Sequence, residues 1–386
     1  MPQRLVPPLS KSDAQRALVL ADILGVSQAS LLPAGEALPR DVEVLRAGLS
    51  ALRSPTSRID CHDGGAPFRF LVGQAAVLPE RAVDFVGTPR LGARPHEPLL
   101  RALREALGVT VTSGQPWPVR VETRALRRGV AFRVPGAESS QYASSLLLAA
   151  ARLSSLSGEA VAVEVEGALT SEGYFALTES WLHRCGFSLA PVRAPVAAPP
   201  FPRIPGDWSS LGYLLALSWV CGLPVARLER NTGHPDERLA AHLASAGLSV
   251  SDRLTGVPKR GVDVDAEACP DAVPTLAVLA TRLPAPSVFR RVGVLRHKES
   301  DRVEGVRALL AAAGLTSRLD GETLTVFPGA ARDFGFAPRD DHRLAMSAAV
   351  LARLHRVRGE VSSPECVAKS FPGFWAEVAK CDAASR

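Results

Sequence analysis

The chain of 386 residues carries a formal net charge of +6 at pH 7, and 46% of its residues are hydrophobic. This length exceeds what one hydrophobic core usually organises, so the default prediction is a protein of two domains. No run of about 18 uncharged apolar residues and no signal-peptide pattern occurs, which favours a cytoplasmic protein over a membrane or secreted one.

Strand-like and helix-like segments alternate through the chain. Strands are predicted over residues 83–87, 119–122, 130–134 and 161–165. Helices are predicted over residues 95–107, 142–153 and 174–185, and near 209–221, 235–246, 274–282, 300–313 and 342–356. This alternation predicts an α/β architecture built from a repeated unit. The proline-rich segment 194–205 predicts a hinge between two halves, each about the size of one domain.

The basic residues and the cysteines narrow the class of ligand. Only five of the 45 basic residues are lysines, and Lys11, Lys298 and Lys369 lie inside polar motifs. Lysine is a compact, titratable cation that suits proton exchange and phosphate, whereas arginine is a permanently charged fork. The arginines are dispersed and aromatic residues make up 5% of the chain, so a small phosphorylated or carboxylated substrate is favoured over nucleic acid. The six cysteines show no C-x-x-C spacing, which predicts reduced, mostly structural thiols rather than a zinc site or a disulfide framework.

The first polar motif is Ser10-Lys11-Ser12, with Arg16 one turn further on and an apolar run at 17–23. A helix that begins here directs free backbone N–H groups, together with Lys11 and Ser12, toward an anion. The alternative is an N-capped surface helix.

Three further motifs lie where a loop meets a predicted helix. They are the glycine turn at 63–67 before Arg69, Ser-Ser-Gln at 139–141, and Asp271 ahead of an apolar helix. Paired glycines let the backbone approach a ligand closely. Helix capping by Ser139 or Asp271 is the alternative interpretation.

The densest polar segment is Arg-His-Lys-Glu-Ser-Asp-Arg at 296–302. If a helix begins here, Lys298 and Arg302 lie one turn apart on one face, with Glu299 between them available as an acid. The alternative is a solvated, charged helix face. Asp-Asp-His-Arg at 340–343 and Lys-Ser-Phe-Pro at 369–372 complete a constellation of polar motifs.

In this order the motifs resemble those of the 3-phosphoshikimate 1-carboxyvinyltransferase (EPSP synthase) family. The resemblance runs from residue 7 to about residue 375, and it includes Arg94-Pro95, Ser171 with Tyr174, and Gly-Asp-x-Ser-Ser at 206–210. It implies a two-domain α/β enolpyruvyl transferase fold in which each domain holds three β-α-β-α-β-β repeats and the chain crosses between domains twice. The implied domains are residues 11–204, which close over substrate, and residues 1–10 with 205–386.

The resemblance also implies two substrates and the residues that contact them. 3-Phosphoshikimate would contact Lys11, Ser12, Arg16, Ser139, Ser140, Gln141, Ser171, Asp271 and Lys298. Phosphoenolpyruvate would contact Lys11, Gly65, Arg94, Gln141, Arg302, His342, Arg343 and Lys369. Two phosphates and two carboxylates would meet these side chains, and arginine forks suit carboxylates while lysines suit phosphates.

The implied reaction adds the 5-hydroxyl of 3-phosphoshikimate to phosphoenolpyruvate and then eliminates inorganic phosphate. The resemblance makes Asp271 the base, assisted by Lys11 or Lys298, and Glu299 the acid that protonates the methylene carbon. A base and an acid with separated pKa values suit this chemistry. No metal or redox cofactor is implied, and we expect a monomer that binds neither nucleic acid nor membrane.

One loop departs from the family pattern and keeps alternatives open. His-Asp-Gly-Gly-Ala-Pro at 62–67 stands where the family has Gly-Asn-Ala-Gly-Thr-Ala. A catalytically silent paralogue that binds shikimate-type ligands is therefore one alternative. A related enolpyruvyl transferase acting on UDP-N-acetylglucosamine is another, but its reactive loop cysteine is missing here. RNA terminal phosphate cyclases share the repeat unit, but the sequence lacks basic patches interleaved with aromatic residues.

Overall fold

The computed structural model describes residues 3–33, 35–114 and 117–385. These residues form two compact units. The N-terminal unit comprises Lys11–Glu36 and Arg40–Ile204, and the C-terminal unit comprises the described chain up to Ser10, Ala37–Pro39, and the described chain from Pro205 onward. The short stretch Ala37–Pro39 therefore groups with the C-terminal unit, although the sequence placed it within 11–204.

The N-terminal unit is built on two buried helices. Its helices are α1 (Lys11–Leu24), α2 (Arg40–Ala51), α3 (Gly65–Val77), α4 (Pro89–Gly92), α5 (Glu97–Leu107), α6 (Ser140–Ser157) and α7 (Glu172–Arg184). Its strands are β1 (Thr56–Asp60), β2 (Arg81–Val86), β3 (Thr110–Ser113), β4 (Val119–Thr123), β5 (Ala131–Pro135), β6 (Ala162–Glu166), β7 (Ser188–Leu189) and β8 (Val192–Arg193). Helices α3 and α6 pack on each other and are buried along most of their length, because they are apolar on nearly every face.

The main sheet of the N-terminal unit has the strand order β1-β2-β4-β3. Strand β1 runs parallel to β2, whereas β4 runs antiparallel to both β2 and β3. Val83 and Phe85 alternate with less buried residues along β2, as a strand with one face on the core requires. A separate parallel pair joins β5 and β6.

The C-terminal unit repeats this sheet. Its helices are α8 (Trp208–Cys221), α9 (Arg238–Ser245), α10 (Val273–Ala280), α11 (Arg302–Ala312), α12 (His342–His355) and α13 (Phe374–Ala384). Its strands are β9 (Ser249–Val250), β10 (Leu254–Thr255), β11 (Asp263–Asp265), β12 (Ser287–Arg290), β13 (Ser317–Asp320), β14 (Thr323–Val326), β15 (Phe334–Phe336) and β16 (Gly359–Val361). The order β11-β12-β14-β13, with its parallel first pair and antiparallel remainder, matches the N-terminal sheet. This recurrence agrees with the repeated unit expected from the sequence.

The described residues before Lys11 belong to the C-terminal unit. Leu5 forms a parallel bridge with Val225, and Leu9 forms an antiparallel bridge with Gly206. The Val6 N–H donates to the Glu377 carboxylate of α13 at 3.0 Å. The chain then enters the N-terminal unit at Lys11, which becomes the first residue of α1.

Most predicted elements are confirmed within a few residues, but one geometric expectation is wrong. Helix α11 begins at Arg302 and not earlier, because Asp301 is its N-cap and accepts the N–H groups of Val303 and Glu304, both at 3.1 Å. Lys298 lies before this helix in an extended conformation, so Lys298 and Arg302 do not share a helical face. The helices α2, α4 and α13 were not predicted. Among the helices described here, none is long and apolar enough to cross a bilayer.

Candidate active site

Several candidate residues of the C-terminal unit lie at the N-terminal ends of helices. Asp271 precedes α10, Arg302 is the first residue of α11, and Arg343 is the second residue of α12. Unpaired N–H groups and the helix dipole make such ends favourable places for negative charge. The loops that lead into these helices therefore bring both acidic groups and anion-binding groups to one region of the unit.

Arg302 is the centre of a buried ionic network. Its side chain is 1% exposed, and each nitrogen atom of the guanidinium meets a carboxylate. Nε donates to Asp341 at 2.9 Å, Nη1 to Asp271 at 2.7 Å and Nη2 to Glu299 at 2.6 Å. Burial acts to lower the pKa of Arg302, but Asp341, Glu299 and Asp271 together hold that pKa well above its ordinary value. The alternative of a solvated charged face at this segment is therefore wrong for Arg302.

Arg343 is a buried cation with unused donors. Its side chain is 2% exposed, and Nη2 donates to Asp271 Oδ2 at 3.0 Å. Within the described chain, Nε and Nη1 of Arg343 are buried and have no hydrogen-bond partner. Burying charged donors without acceptors costs several kcal/mol unless a ligand supplies the acceptors. The geometry of Arg343 is that of an anion-binding group.

Asp271 joins the two arginines. One carboxylate oxygen accepts from Arg302 and the other accepts from Arg343. Burial acts to raise the pKa of Asp271, but the charges of Arg343, Lys298 and Arg302 hold that pKa well below its ordinary value, with Glu299 opposing them. The N-cap position of α10 is Ala272, and no side chain caps this helix. The capping interpretation of Asp271 is therefore wrong.

Two carboxylates that the sequence did not assign support this network. Asp341 is fully buried and accepts from Ser300 Oγ at 2.8 Å as well as from Arg302. Asp236, also fully buried, accepts the Ala272 N–H at 3.2 Å and so orders the backbone next to Asp271. Burial and the nearby Asp271 charge raise the pKa of Asp236. No local pattern distinguishes Asp236, and only its tertiary contacts reveal it.

Two further candidates of this unit, His342 and Lys369, are buried on or beside α12. His342 is 0% exposed and Lys369 is 2% exposed, which is unusual for a lysine. Lys369 is the last residue of a short 3₁₀ helix, Pro364–Lys369, that packs on α12. Ser370 follows it, and in the part of the chain described here its buried hydroxyl has no hydrogen-bond partner.

In the N-terminal unit, Lys11 and Ser12 occupy the first turn of α1. Lys11 Nζ forms a salt bridge with Asp41 Oδ2 at 3.0 Å. Asp41 lies on α2, a helix that the sequence did not predict, so this partner was missed. The paired ammonium remains 14% exposed at its side chain and is available to an approaching anion.

Arg16 is held by protein acceptors in this structure. Its guanidinium donates to Thr178 Oγ1 at 2.8 Å, to the Tyr174 carbonyl at 2.7 Å and to the Ser12 carbonyl at 2.8 Å. These bonds fasten the start of α1 to α7. They use three of the five N–H donors of the Arg16 guanidinium.

Arg69 connects two of the candidate phosphoenolpyruvate residues. It donates to Gln141 Oε1 on α6 and to the Pro95 carbonyl at 3.0 Å, and Tyr142 donates to the same carbonyl at 2.6 Å. The loop that carries Arg94 is thereby fastened to the start of α6. Arg69 also stacks over the Tyr142 ring at 5.1 Å.

Gly65 and Arg94 are in direct contact. A Cβ atom added at Gly65 would lie 2.3 Å from Arg94 Nη1, so this guanidinium rests on the bare backbone at the start of α3. Nε of Arg94 is buried and has no hydrogen-bond partner among the residues that the structure describes. In this structure the glycine turn admits the side chain of Arg94, whereas the sequence predicted the approach of a ligand.

Serine side chains occupy the starts of α6 and α7. Ser139 caps α6 by accepting the Gln141 N–H at 3.3 Å, and Ser140 beside it is buried. Ser171 is the N-cap residue of α7 in a left-handed conformation, with φ of 54°. Its buried hydroxyl has no hydrogen-bond partner within the described residues. Like Nε of Arg94, this hydroxyl is an unused polar group at a candidate position of the N-terminal unit.

The altered loop carries backbone strain. His62 has φ of 47°, a left-handed conformation that favours glycine, and the family pattern has glycine at this position. The Thr88 N–H donates to the His62 carbonyl at 2.8 Å, and the His62 N–H donates to Asp60 at 2.7 Å. A non-glycine residue held in this conformation costs on the order of 1 kcal/mol.

Comparisons with known proteins cover nearly the whole chain. The family model described as EPSP synthase (3-phosphoshikimate 1-carboxyvinyltransferase) matches residues 5–378. A protein named 3-phosphoshikimate 1-carboxyvinyltransferase from Methanoculleus marisnigri is 32% identical over 96% of this chain and 89% of its own length. The protein of that name from Methanopyrus kandleri is also 32% identical, over 97% of this chain and 94% of its own length.

Solved structures show the same fold. The structure of EPSP synthase from Acinetobacter baumannii superposes with a TM-score of 0.68 at 16% identity, covering 99% of this chain and 96% of that one. The enolpyruvyl transferase NikO from Streptomyces tendae superposes with a TM-score of 0.64 at 14% identity, covering 98% and 94%. The two-domain α/β enolpyruvyl transferase fold predicted from the motifs is confirmed. The family model and the two relatives named above show that the chain belongs to the EPSP synthase (3-phosphoshikimate 1-carboxyvinyltransferase) family.

Proposed function

We propose that this protein transfers the enolpyruvyl group of phosphoenolpyruvate to the 5-hydroxyl of 3-phosphoshikimate and releases inorganic phosphate. The reaction proceeds by addition and elimination through a tetrahedral intermediate, and its product belongs to the shikimate pathway toward the aromatic amino acids. The observation that carries the proposal is Arg343, a buried guanidinium with Nε and Nη1 unused among the described residues, beside a second buried arginine and a carboxylate.

The arginines of the C-terminal unit are the proposed ligands for phosphoenolpyruvate. Arg302 and Arg343 present planar donors that match a carboxylate, and Lys369 supplies a compact cation for phosphate. His342 lies beside Arg343 in the first turn of α12. Gly65, Arg94, Gln141 and Lys11 are the ligands that the N-terminal unit would supply.

Asp271 is the proposed base that removes the 5-hydroxyl proton. In the structure its carboxylate is paired with Arg302 and Arg343, which makes it a weak base because both arginines stabilise its charge. When an anionic substrate binds these arginines, their charge is shared with the ligand and the pKa of Asp271 rises. A base pKa closer to the working pH favours proton removal. Substrate binding would thus activate the base.

Glu299 is the proposed acid that delivers a proton to the methylene carbon. Its carboxylate accepts from Arg302 at 2.6 Å and is 13% exposed at its side chain, so it lies in the same network as Asp271. Lys298 and Lys11 are proposed to assist proton transfer, and buried cations would stabilise the negative charge of the intermediate. In this proposal Asp341 and Asp236 position the reacting groups and do not touch the substrate.

3-Phosphoshikimate is proposed to bind residues of both units. The N-terminal unit offers hydroxyl, amide and cationic groups at helix starts, where a phosphate or a carboxylate is favoured. These groups are Lys11, Ser12, Arg16, Ser139, Ser140, Gln141 and Ser171, and the C-terminal unit adds Asp271 and Lys298. The proposal also includes domains at 11–204 and at 1–10 with 205–386, three repeats in each, and a monomer in the cytoplasm.

Phosphate release from the purified protein tests the function. Release that requires both 3-phosphoshikimate and phosphoenolpyruvate is the expected result. Binding of 3-phosphoshikimate in calorimetry without any phosphate release would instead identify a catalytically silent paralogue. The reason to test for one is the loop at 62–67, which departs from the family pattern. Absence of both binding and release would contradict the proposal.

A further inference from the structure

Two cysteines of the C-terminal unit meet where two helices pack, and the proposed reaction uses neither. Cys221 is the last residue of α8, and Cys381 lies on α13. The Cys381 thiol donates to the Leu217 carbonyl of α8 at 3.6 Å, one turn before Cys221. The side chains of Cys221 and Cys381 interact with each other at this contact. Helices α8 and α13 pack on each other, so Cys381 lies against the last turn of α8, which ends at Cys221.

The two thiols differ in access to solvent. Cys381 is fully buried, whereas Cys221 is partly exposed at the end of its helix. The interaction with the Cys381 side chain lowers the pKa of Cys221 to about 7, with burial and Asp382 opposing it. A partly exposed thiol with substantial thiolate character beside a second thiol is the arrangement found at cysteines that react reversibly with oxidants.

The other four cysteines lack these properties. Cys61, Cys185, Cys269 and Cys366 are all buried. Burial raises the pKa of each of their thiols, to about 12 for Cys185 and Cys366. Thiols of this kind are inert, because the thiolate is the nucleophile. The reactivity of the accessible Cys221 thiol can therefore be compared with that of four buried thiols in the same protein.

We infer that Cys221 and Cys381 form a reversible disulfide when the protein meets hydrogen peroxide, with Cys221 attacking and Cys381 resolving. The Cys221 thiolate attacks one peroxide oxygen, the O–O bond breaks, and Cys221 sulfenic acid and one water result. The Cys381 sulfur then attacks Cys221 Sγ, the S–O bond breaks, the S–S bond forms, and a second water leaves. Two thiols lose two electrons and two protons, and peroxide is reduced to two waters.

The bond would fasten α13 to the end of α8 that is remote from the candidate site. Helix α8 has 14 residues and is about 20 Å long. Its other end carries Ser209, which donates to Asp236, whereas Cys221 lies at the last turn. We therefore expect oxidation to raise the melting temperature by several degrees and to leave turnover within twofold. The inference does not depend on the proposed function, because thiol chemistry is measured without any substrate.

Thiol titration and peptide mapping of the full chain test the inference. After treatment with hydrogen peroxide and denaturation, the count of free thiols should fall from six to four. A linked peptide should join Cys221 to Cys381, and dithiothreitol should restore six thiols. Retention of all six thiols, a link between other cysteines, or a lower melting temperature after oxidation would overturn the inference.

Three variants sharpen the test. Cys221→Ser should keep its five remaining thiols under the same treatment. Cys381→Ser should accumulate a sulfenic acid at Cys221 that dimedone traps, because the resolving thiol is missing. Cys269→Ser, a buried cysteine of the same unit, should still lose two thiols. Dimedone labelling of Cys269 or Cys366 at a rate similar to Cys221 would contradict the assignment of the attacking thiol.

Discussion

Asp271 Oδ1 lies 2.7 Å from Arg302 Nη1, and the guanidinium it meets is 1% exposed. The second oxygen of the same carboxylate meets Arg343 at 3.0 Å. In the proposed mechanism these arginines bind phosphoenolpyruvate and Asp271 is the base. The carboxylate of the proposed base therefore occupies, in this structure, one donor group of each arginine that would bind the anionic substrate.

Replacement of Asp271 by Asn should separate catalysis from binding. The amide cannot accept the 5-hydroxyl proton, so turnover should fall by about 10²-fold to 10⁴-fold. Binding of phosphoenolpyruvate should not weaken, because both arginines keep their charge and lose a competing carboxylate. Phosphate release gives the first quantity and calorimetry the second.

The matched control is Asp263→Asn, which removes an exposed carboxylate paired with Arg290 in the same unit. This variant should keep turnover within twofold. An Asp271→Asn protein that keeps a tenth or more of the turnover would exclude Asp271 as the base.

Arg302→Lys should destabilise the C-terminal unit strongly. A lysine ammonium cannot reproduce three separate bonds from one fork, so Asp341 and its neighbours would be left without their shared partner. Loss of one member of a buried ionic network costs about 3–5 kcal/mol. Urea unfolding followed by circular dichroism measures this loss.

Arg307→Lys on the same helix is the control for Arg302→Lys. Arg307 donates to the exposed Glu304, at 2.8 Å and 3.0 Å, and a pair of this kind contributes roughly 0–1 kcal/mol. Equal unfolding midpoints for the two variants would show that the Arg302 network adds little stability.

Lys369→Arg should lose turnover although the charge is kept. Lys369 is 2% exposed, so a larger guanidinium has to displace packed neighbours, and a permanently charged fork replaces a compact ammonium. We expect at least a tenfold loss in phosphate release. Lys380→Arg is the comparison, because Lys380 is 31% exposed and pairs with Glu377 at 2.8 Å. Similar turnover in both variants and the parent protein would contradict the requirement for lysine.

His96 should make the N-terminal unit sensitive to mild acid. Burial, together with the charges of Arg69 and Arg94, lowers the pKa of His96 to about 3, whereas an unfolded histidine titrates near 6.5. The folded unit binds fewer protons between these values, so stability is complete above about pH 6.5 and falls as the pH decreases toward 3. At pH 5.5 the loss should be about 1 kcal/mol.

Thermal unfolding at pH 7.5 and pH 5.5 measures the contribution of His96. His96→Gln should reduce the difference between the two melting temperatures relative to the parent protein. His183→Gln, at an exposed position of the same unit, should leave that difference unchanged. An unchanged difference in the His96 variant would show that this imidazole is not the group that titrates.

The amino-acid sequence predicted the family, the two-unit organisation of the fold and the motif residues. Each of these predictions rests on patterns that span only a few neighbouring residues. A glycine turn, a helix start and a run such as Lys-Glu-Ser-Asp-Arg are each contained within a few residues. Helix α2 was missed together with Asp41, although its buried Val42, Leu45 and Leu49 have the spacing of one helical face. The predicted shared face of Lys298 and Arg302 failed because Asp301 caps α11 later than expected.

Tertiary structure alone decided which polar groups pair. Arg302 and Asp341 are 39 residues apart, Asp271 and Arg343 are 72 apart, and Cys381 and Leu217 are 164 apart. Chain folding brings such groups together through the packing of whole helices, and no short pattern records that packing. The pKa shifts of Asp271 and Cys221, the unused donors of Arg343 and the supporting role of Asp236 all depend on those contacts. The residue types needed for the chemistry can therefore be identified in the sequence. Their charge states and their partners depend on burial and on distances in the folded chain.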